Sequence, residues 1–177
     1  MKQASRNLAL CGVLCALAVA IMAMGTILPV ATYCAPVLAS MTLLPVLVLC
    51  GEKLSWAMFF ASAMLSLLLA PDKEAAAIFL ALGYYPIVKP KLDRKPKIRR
   101  WVGKFLLFNV SIFAVYAVLL FVLRLDALRK EFSAMSGALL AGLLLGGNFL
   151  FWLDDRLLGR FAPRAAALCA RWEKKHR

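Results

Sequence analysis

The segment FWLDDRLLGR contains the densest reactive chemistry in an otherwise apolar chain: the neighbouring carboxylates of Asp154 and Asp155, followed by Arg156. Paired aspartates at the end of an apolar run are how membrane-bound transferases hold Mg²⁺ against a diphosphate, because hard cations take oxygen ligands. That chemistry needs a second acidic cluster, and Glu52, Asp93 and Glu173 are too scattered along the sequence to supply one. Asp154 and Asp155 are therefore expected to pair with Arg99, Arg100 or lipid-facing arginines. No GxxxxGK[ST] phosphate loop, HExxH or GxSxG is present, so neither nucleotide-driven work nor hydrolysis by those routes is written here. Cys11 and Cys15 share a helix face, but a metal site needs further ligands, and the single histidine, His176, stands in the tail. No catalytic residue, metal or cofactor is assigned, and the chain is not expected to be an enzyme.

Other polar residues stand out against apolar surroundings. Asn109 and Asn148 interrupt uncharged runs. An unpaired amide in hydrocarbon costs several kcal/mol on the order of magnitude for isolated polar groups, so these two are expected to bond to each other or to nearby backbone. In APDKEAA, Pro71 ends one helix because proline cannot continue the backbone ladder. Asp72 then caps the next helix, with Glu74 in its first turn. Small residues recur every fourth position at Gly12, Ala16 and Ala20, and again at Ala134, Ala138, Gly142 and Gly146 beside Gly147. Such stripes let helix backbones approach closely in lipid. The second series is expected to pack inside the bundle; the first, on an edge helix, is open to a partner.

The elements that must carry these residues follow from composition. Of the 177 residues, 63% are hydrophobic, against about 45–50% in a soluble domain, and the mean hydropathy is +0.80. No charged residue occurs from Asn7 to Gly51, Phe105 to Leu123 or Phe132 to Leu153. Runs of about 20 such residues match a helix crossing a hydrocarbon core of about 30 Å. The sequence thus predicts an all-α membrane protein with six spans: Leu8–Leu28, Pro36–Cys50, Leu54–Ala70, Glu74–Val88, Phe105–Leu123 and Ser133–Leu153. The first is read as a retained helix rather than a signal peptide. Pro45 should kink the second, and the fourth is short enough to be tilted or re-entrant.

Charge sets the orientation. With six spans, 18 of the 22 basic residues fall on the side of the termini and of the basic connector KPKLDRKPKIRR, which makes that side cytoplasmic. The net charge of +13 therefore reflects topology and anionic lipid rather than nucleic-acid binding. Residues 1–155 form the transmembrane domain, and 156–177 a basic amphipathic tail. Leu157, Phe161, Ala165, Leu168 and Trp172 share one face of that tail, which restarts at Pro163 and lies along the inner leaflet. No ionisable residue falls mid-span and no inverted repeat is visible, which disfavours a self-sufficient secondary transporter.

Six short helices, inward termini, a basic connector between the fourth and fifth, and no motor of its own resemble the substrate-binding S components of energy-coupling factor (ECF) transporters. In that family an AlaxxxAla pattern on the first helix docks the S component onto a transmembrane T component, which works with two cytoplasmic ATPases. Ala16 and Ala20, preceded by Gly12, match the pattern. The resemblance implies a six-helix fold in a bacterial plasma membrane and capture of a small solute, vitamin-like or a metal ion, from outside. It also implies an outward rim of Thr32, Tyr33, Asp72, Lys73, Glu74, Tyr116, Arg124 and Asp126. The rod-shape scaffold protein MreD has a similar size and topology and supplies the alternative.

Overall fold

Apolar runs broken by proline, glycine and short charged turns dictate helices. The computed structural model describes residues 2–24, 31–117 and 136–175, with side chains over 4–24, 34–117 and 136–171, and contains no strand among them. Eight helices are described: α1 Lys2–Met24, α2 Ala31–Met41, α3 Leu43–Cys50, α4 Glu52–Leu69, α5 Lys73–Leu82, α6 Tyr85–Asp93, α7 Lys97–Ala117 and α8 Gly137–Lys175. They make six helical units, because α2 with α3 and α5 with α6 each replace one expected span. Among the described residues, three stretches, Ala4–Met24, Glu52–Leu69 and Gly137–Arg171, are long and apolar enough to cross a membrane.

Each interruption has a local cause. Pro45 has no N–H to offer the carbonyl of Met41, and the helix breaks at Thr42, whose N–H and Oγ1 both donate to Ala39 O at 3.2 and 2.7 Å. The α3–α4 corner needs Gly51, which has φ +83°, a value that other residues adopt at a cost. The expected fourth span breaks between α5 and α6 at Gly83 and Tyr84, just before Pro86. A Cβ on Gly83 would lie 2.5 Å from the carbonyl oxygen of Phe79 and 2.8 Å from its ring, so the turn accepts only glycine without a shift.

One core lies where α1 packs on α4. Buried Cys11, Cys15, Ala18 and Met22 of α1 belong to the same cluster as Met58, Phe59 and Ala63 of α4. Ser55, Ser62 and Ser66 are fully buried on α4, and small side chains of this kind let helices approach closely. Ser66 Oγ has no partner among the described residues. The other two hydroxyls bond to backbone carbonyls of the preceding turn: Ser55 donates to Gly51 O at 2.9 Å, and Ser62 reaches Met58 O and Phe59 O at 2.8 and 3.0 Å. This is the usual way for helical serine to bury its oxygen. A second core joins Leu44, Tyr85, Phe108, Phe151 and Leu158.

Two expectations need correction. The basic connector is not a long loop: α6 runs to Asp93 and α7 begins at Lys97, leaving only residues 94–96 between them. The tail does not restart at Pro163, because α8 continues through it. In the tail, Leu158 and Cys169 are buried, Leu157 and Ala165 of the expected face are half-buried, and Phe161 and Leu168 of that face are exposed. Of the small-residue series on α8, no described residue lies within 4 Å of a Cβ built on Gly142 or Gly146. A Cβ built on Gly147 would meet the Phe108 ring at 3.5 Å. Ala134 lies outside the described residues.

Candidate functional site

At the end of the bundle carrying the short α6–α7 turn, five ionisable side chains and a tyrosine converge from three helices. Tyr85, Lys89 and Asp93 come from α6, spaced four residues apart so that they share one face. Lys104 comes from α7, and Asp154 and Asp155 from α8. Lys89, Lys104, Asp154 and Asp155 are 8%, 4%, 8% and 9% exposed. Burial of that degree is rare for charged residues unless they are paired.

Asp155 Oδ1 is the hub. It accepts from Tyr85 Oη at 2.5 Å, from Lys104 Nζ at 2.8 Å and from Lys89 Nζ. Lys89 Nζ also donates to the Asp155 carbonyl at 3.0 Å. Asp93 closes the network, 2.6 Å from Lys104 Nζ and 3.6 Å from Lys89 Nζ. Above this layer Tyr85 meets Phe151 edge-on at 4.8 Å, and Phe108 stacks on Phe151 at 4.7 Å. The apolar lid strengthens every electrostatic interaction beneath it. Burial pushes the Lys89 ammonium below its ordinary range despite Asp155, and the charge of Lys104 adds to that push. Burial opposes the charge of Lys104 too, but its hydrogen bonds to Asp155 and Asp93 carry it above the ordinary lysine value. Asp154 Oδ1 is buried with no hydrogen-bond partner.

Asp155 is thus bound by Lys89 and Lys104 in place of the expected Arg99, Arg100 or lipid-facing arginines. Asp93, set aside in the sequence as too distant, is drawn in through those lysines. Arg156 turns outward instead, its guanidinium 4.2 Å from the centre of the Trp152 ring. The sequence did carry a signal: lysines directly flanking the fourth and fifth apolar spans, one of them four residues before an aspartate. Their positive charge had already been absorbed by the topology rule. Among the described residues, no three His, Cys, Asp or Glu side chains form a metal-binding group.

The asparagine pair forms as expected. Asn109 Nδ2 donates to Asn148 Oδ1 at 3.0 Å, and Asn148 Nδ2 to Asn109 Oδ1 at 3.3 Å. Each amide also donates to its own helix, at Phe105 O and Leu144 O, both 2.8 Å.

The rim residues are brought together only in part. Asp72 caps α5, its Oδ1 accepting from the N–H groups of Glu74 and Ala75 at 3.0 and 3.1 Å. Lys73 Nζ donates to the carbonyls of Leu67, Leu68 and Ala70 at 2.9, 3.3 and 3.0 Å, closing the end of α4. Glu74 accepts from Tyr116 Oη at 2.8 Å, tying α5 to α7. The side chains of Thr32 and Tyr33, and the whole of Arg124 and Asp126, lie outside the described residues. Gly12, Ala16 and Ala20 are exposed, on a different face of α1 from buried Cys11, Cys15, Ala18 and Met22. Comparison of the chain with protein-family models, with curated proteins and with solved structures finds no match.

Proposed function

We propose that this chain is the membrane-embedded, substrate-binding S component of an ECF-type transporter in a bacterial plasma membrane. On this reading it is multi-pass with both termini cytoplasmic. It captures a vitamin-like solute or a metal ion from outside and docks on a T component coupled to two ATPases. The observation that carries the reading is the open Gly12–Ala16–Ala20 face of α1. Its small residues are turned away from the helix's own packing partners, which is the geometry a second transmembrane protein needs for close approach. The rim of Asp72, Lys73, Glu74 and Tyr116 then forms the mouth on the outer side, and anionic lipid covers the basic side.

A specific observation favours the scaffold alternative of the MreD type. The polar groups of Asp72, Lys73 and Glu74 are spent on helix ends and on Tyr116, as in a tightly closed outer half. Purification of the tagged chain from its native membrane separates the two readings. Recovery of a T component with its ATPases, lost on changing Ala16 and Ala20 to Leu while the chain stays folded, supports the first. Recovery of cell-wall elongation proteins, or a complex indifferent to those changes, overturns it.

A further inference from the structure

We propose that the charge cluster of α6, α7 and α8 is a proton-binding site, with Asp154 as the residue that holds the proton. The inference is independent of whether α1 docks on a partner. It starts from a count of charge: the cluster gathers three carboxylates, of Asp93, Asp154 and Asp155, but only two ammonium groups, of Lys89 and Lys104. Asp155 accepts from both lysines and from Tyr85, and Asp93 lies against both lysines. Both cations are thereby matched, and Asp154 is left over.

Its position makes a bare negative charge there costly. Asp154 is 8% exposed, and its Oδ1 has no hydrogen-bond partner. A buried ion without a partner costs far more than a buried neutral group in the same state. The groups facing it do not reverse that balance. Asp155, next to it on α8, repels a second negative charge, while Lys89 on α6 attracts one. That same Lys89 is already engaged by Asp155 and Asp93. Tyr85 is neutral and aims its hydroxyl at Asp155. From α7, Lys104 is bonded to Asp155 and Asp93. The α3 helix, also packed on α8, has no charged residue. One further positive charge would neutralise the set. The two ammonium groups repel a metal cation, whereas a proton needs no room and no ligand shell.

The chemistry is a reversible proton transfer: hydronium gives a proton to the Asp154 carboxylate and leaves as water, its O–H bond breaking as the carboxyl O–H forms, and the reverse step returns the proton to water. The full chain, purified in detergent, tests it by infrared spectroscopy. In neutral buffer the spectrum should contain a protonated carboxylic carbonyl band. That band should shift when the aspartates are isotope-labelled at the side-chain carboxyl, and disappear in alkaline buffer. It should be lost in Asp154→Asn and retained in Asp72→Asn. The unfolding temperature of the wild type should fall as pH rises through neutrality, and this slope should flatten in Asp154→Asn. A wild-type spectrum without a protonated aspartate in neutral buffer overturns the proposal, even if the variant does not fold. So does a band that survives in Asp154→Asn, or one abolished by added sodium or potassium at constant pH, which would mark a metal cation as the occupant.

Discussion

At the scale of single residues, pairing decides what polar groups do in this chain. Asp155 satisfies two buried lysines at once, so Asp155→Ala leaves both without their hub. Removing one partner of a buried ion pair costs about 3–5 kcal/mol, and the unfolding temperature in detergent should drop well below that of the wild type. Asn109 and Asn148 provide a gentler case. A double-mutant cycle to Ala should give a coupling of about 0.5–2 kcal/mol, the range for interhelical hydrogen bonds in membranes, and a coupling near zero would show that the backbone bonds suffice. Lys73→Ala separates two roles of one side chain. If Lys73 serves only to close α4, the substitution lowers stability by up to about 1 kcal/mol and membrane abundance with it. If it also serves the proposed mouth, solute uptake falls beyond the change in abundance.

At the scale of elements, the sequence was most informative where the physics is local. Pro45, Asp72 and Pro71 mark interruptions and caps through the backbone of their own neighbours, and the structure has a break or a cap at each. The asparagine pair was also legible, because two amides in apolar runs had few other partners. The cluster was not, since it depends on which faces of α6, α7 and α8 meet, and no local rule relates Lys89 to Asp155. The small-residue series on α8 was hard to read for a related reason: spacing creates a groove but does not say what enters it. The α5–α6 turn provides the test at this scale. Gly83→Ala places a methyl against the Phe79 carbonyl, and a strained insertion of this sort costs about 1–3 kcal/mol. Because α6 carries Lys89, the change should also weaken crosslinking between cysteines introduced at positions 89 and 155, compared with the same pair beside Gly83.

At the scale of the whole molecule, the proposed orientation predicts labelling in a background lacking the five native cysteines. A cysteine at Lys73 should react with an impermeant thiol reagent on intact cells, and one at Lys95 should not; labelling at Lys95 alone would invert the topology. Within any orientation, the unbroken course of α8 has a mechanical consequence. From Asp155 to Lys175 it extends about 30 Å at the helical rise of about 1.5 Å per residue. A change of about 10° in its angle at Asp155 therefore carries its far end about 5 Å. Lys89 and Lys104, which grip α8 at Asp155, stand at the fulcrum of that lever. Events too small to see where those lysines sit become measurable at its tip.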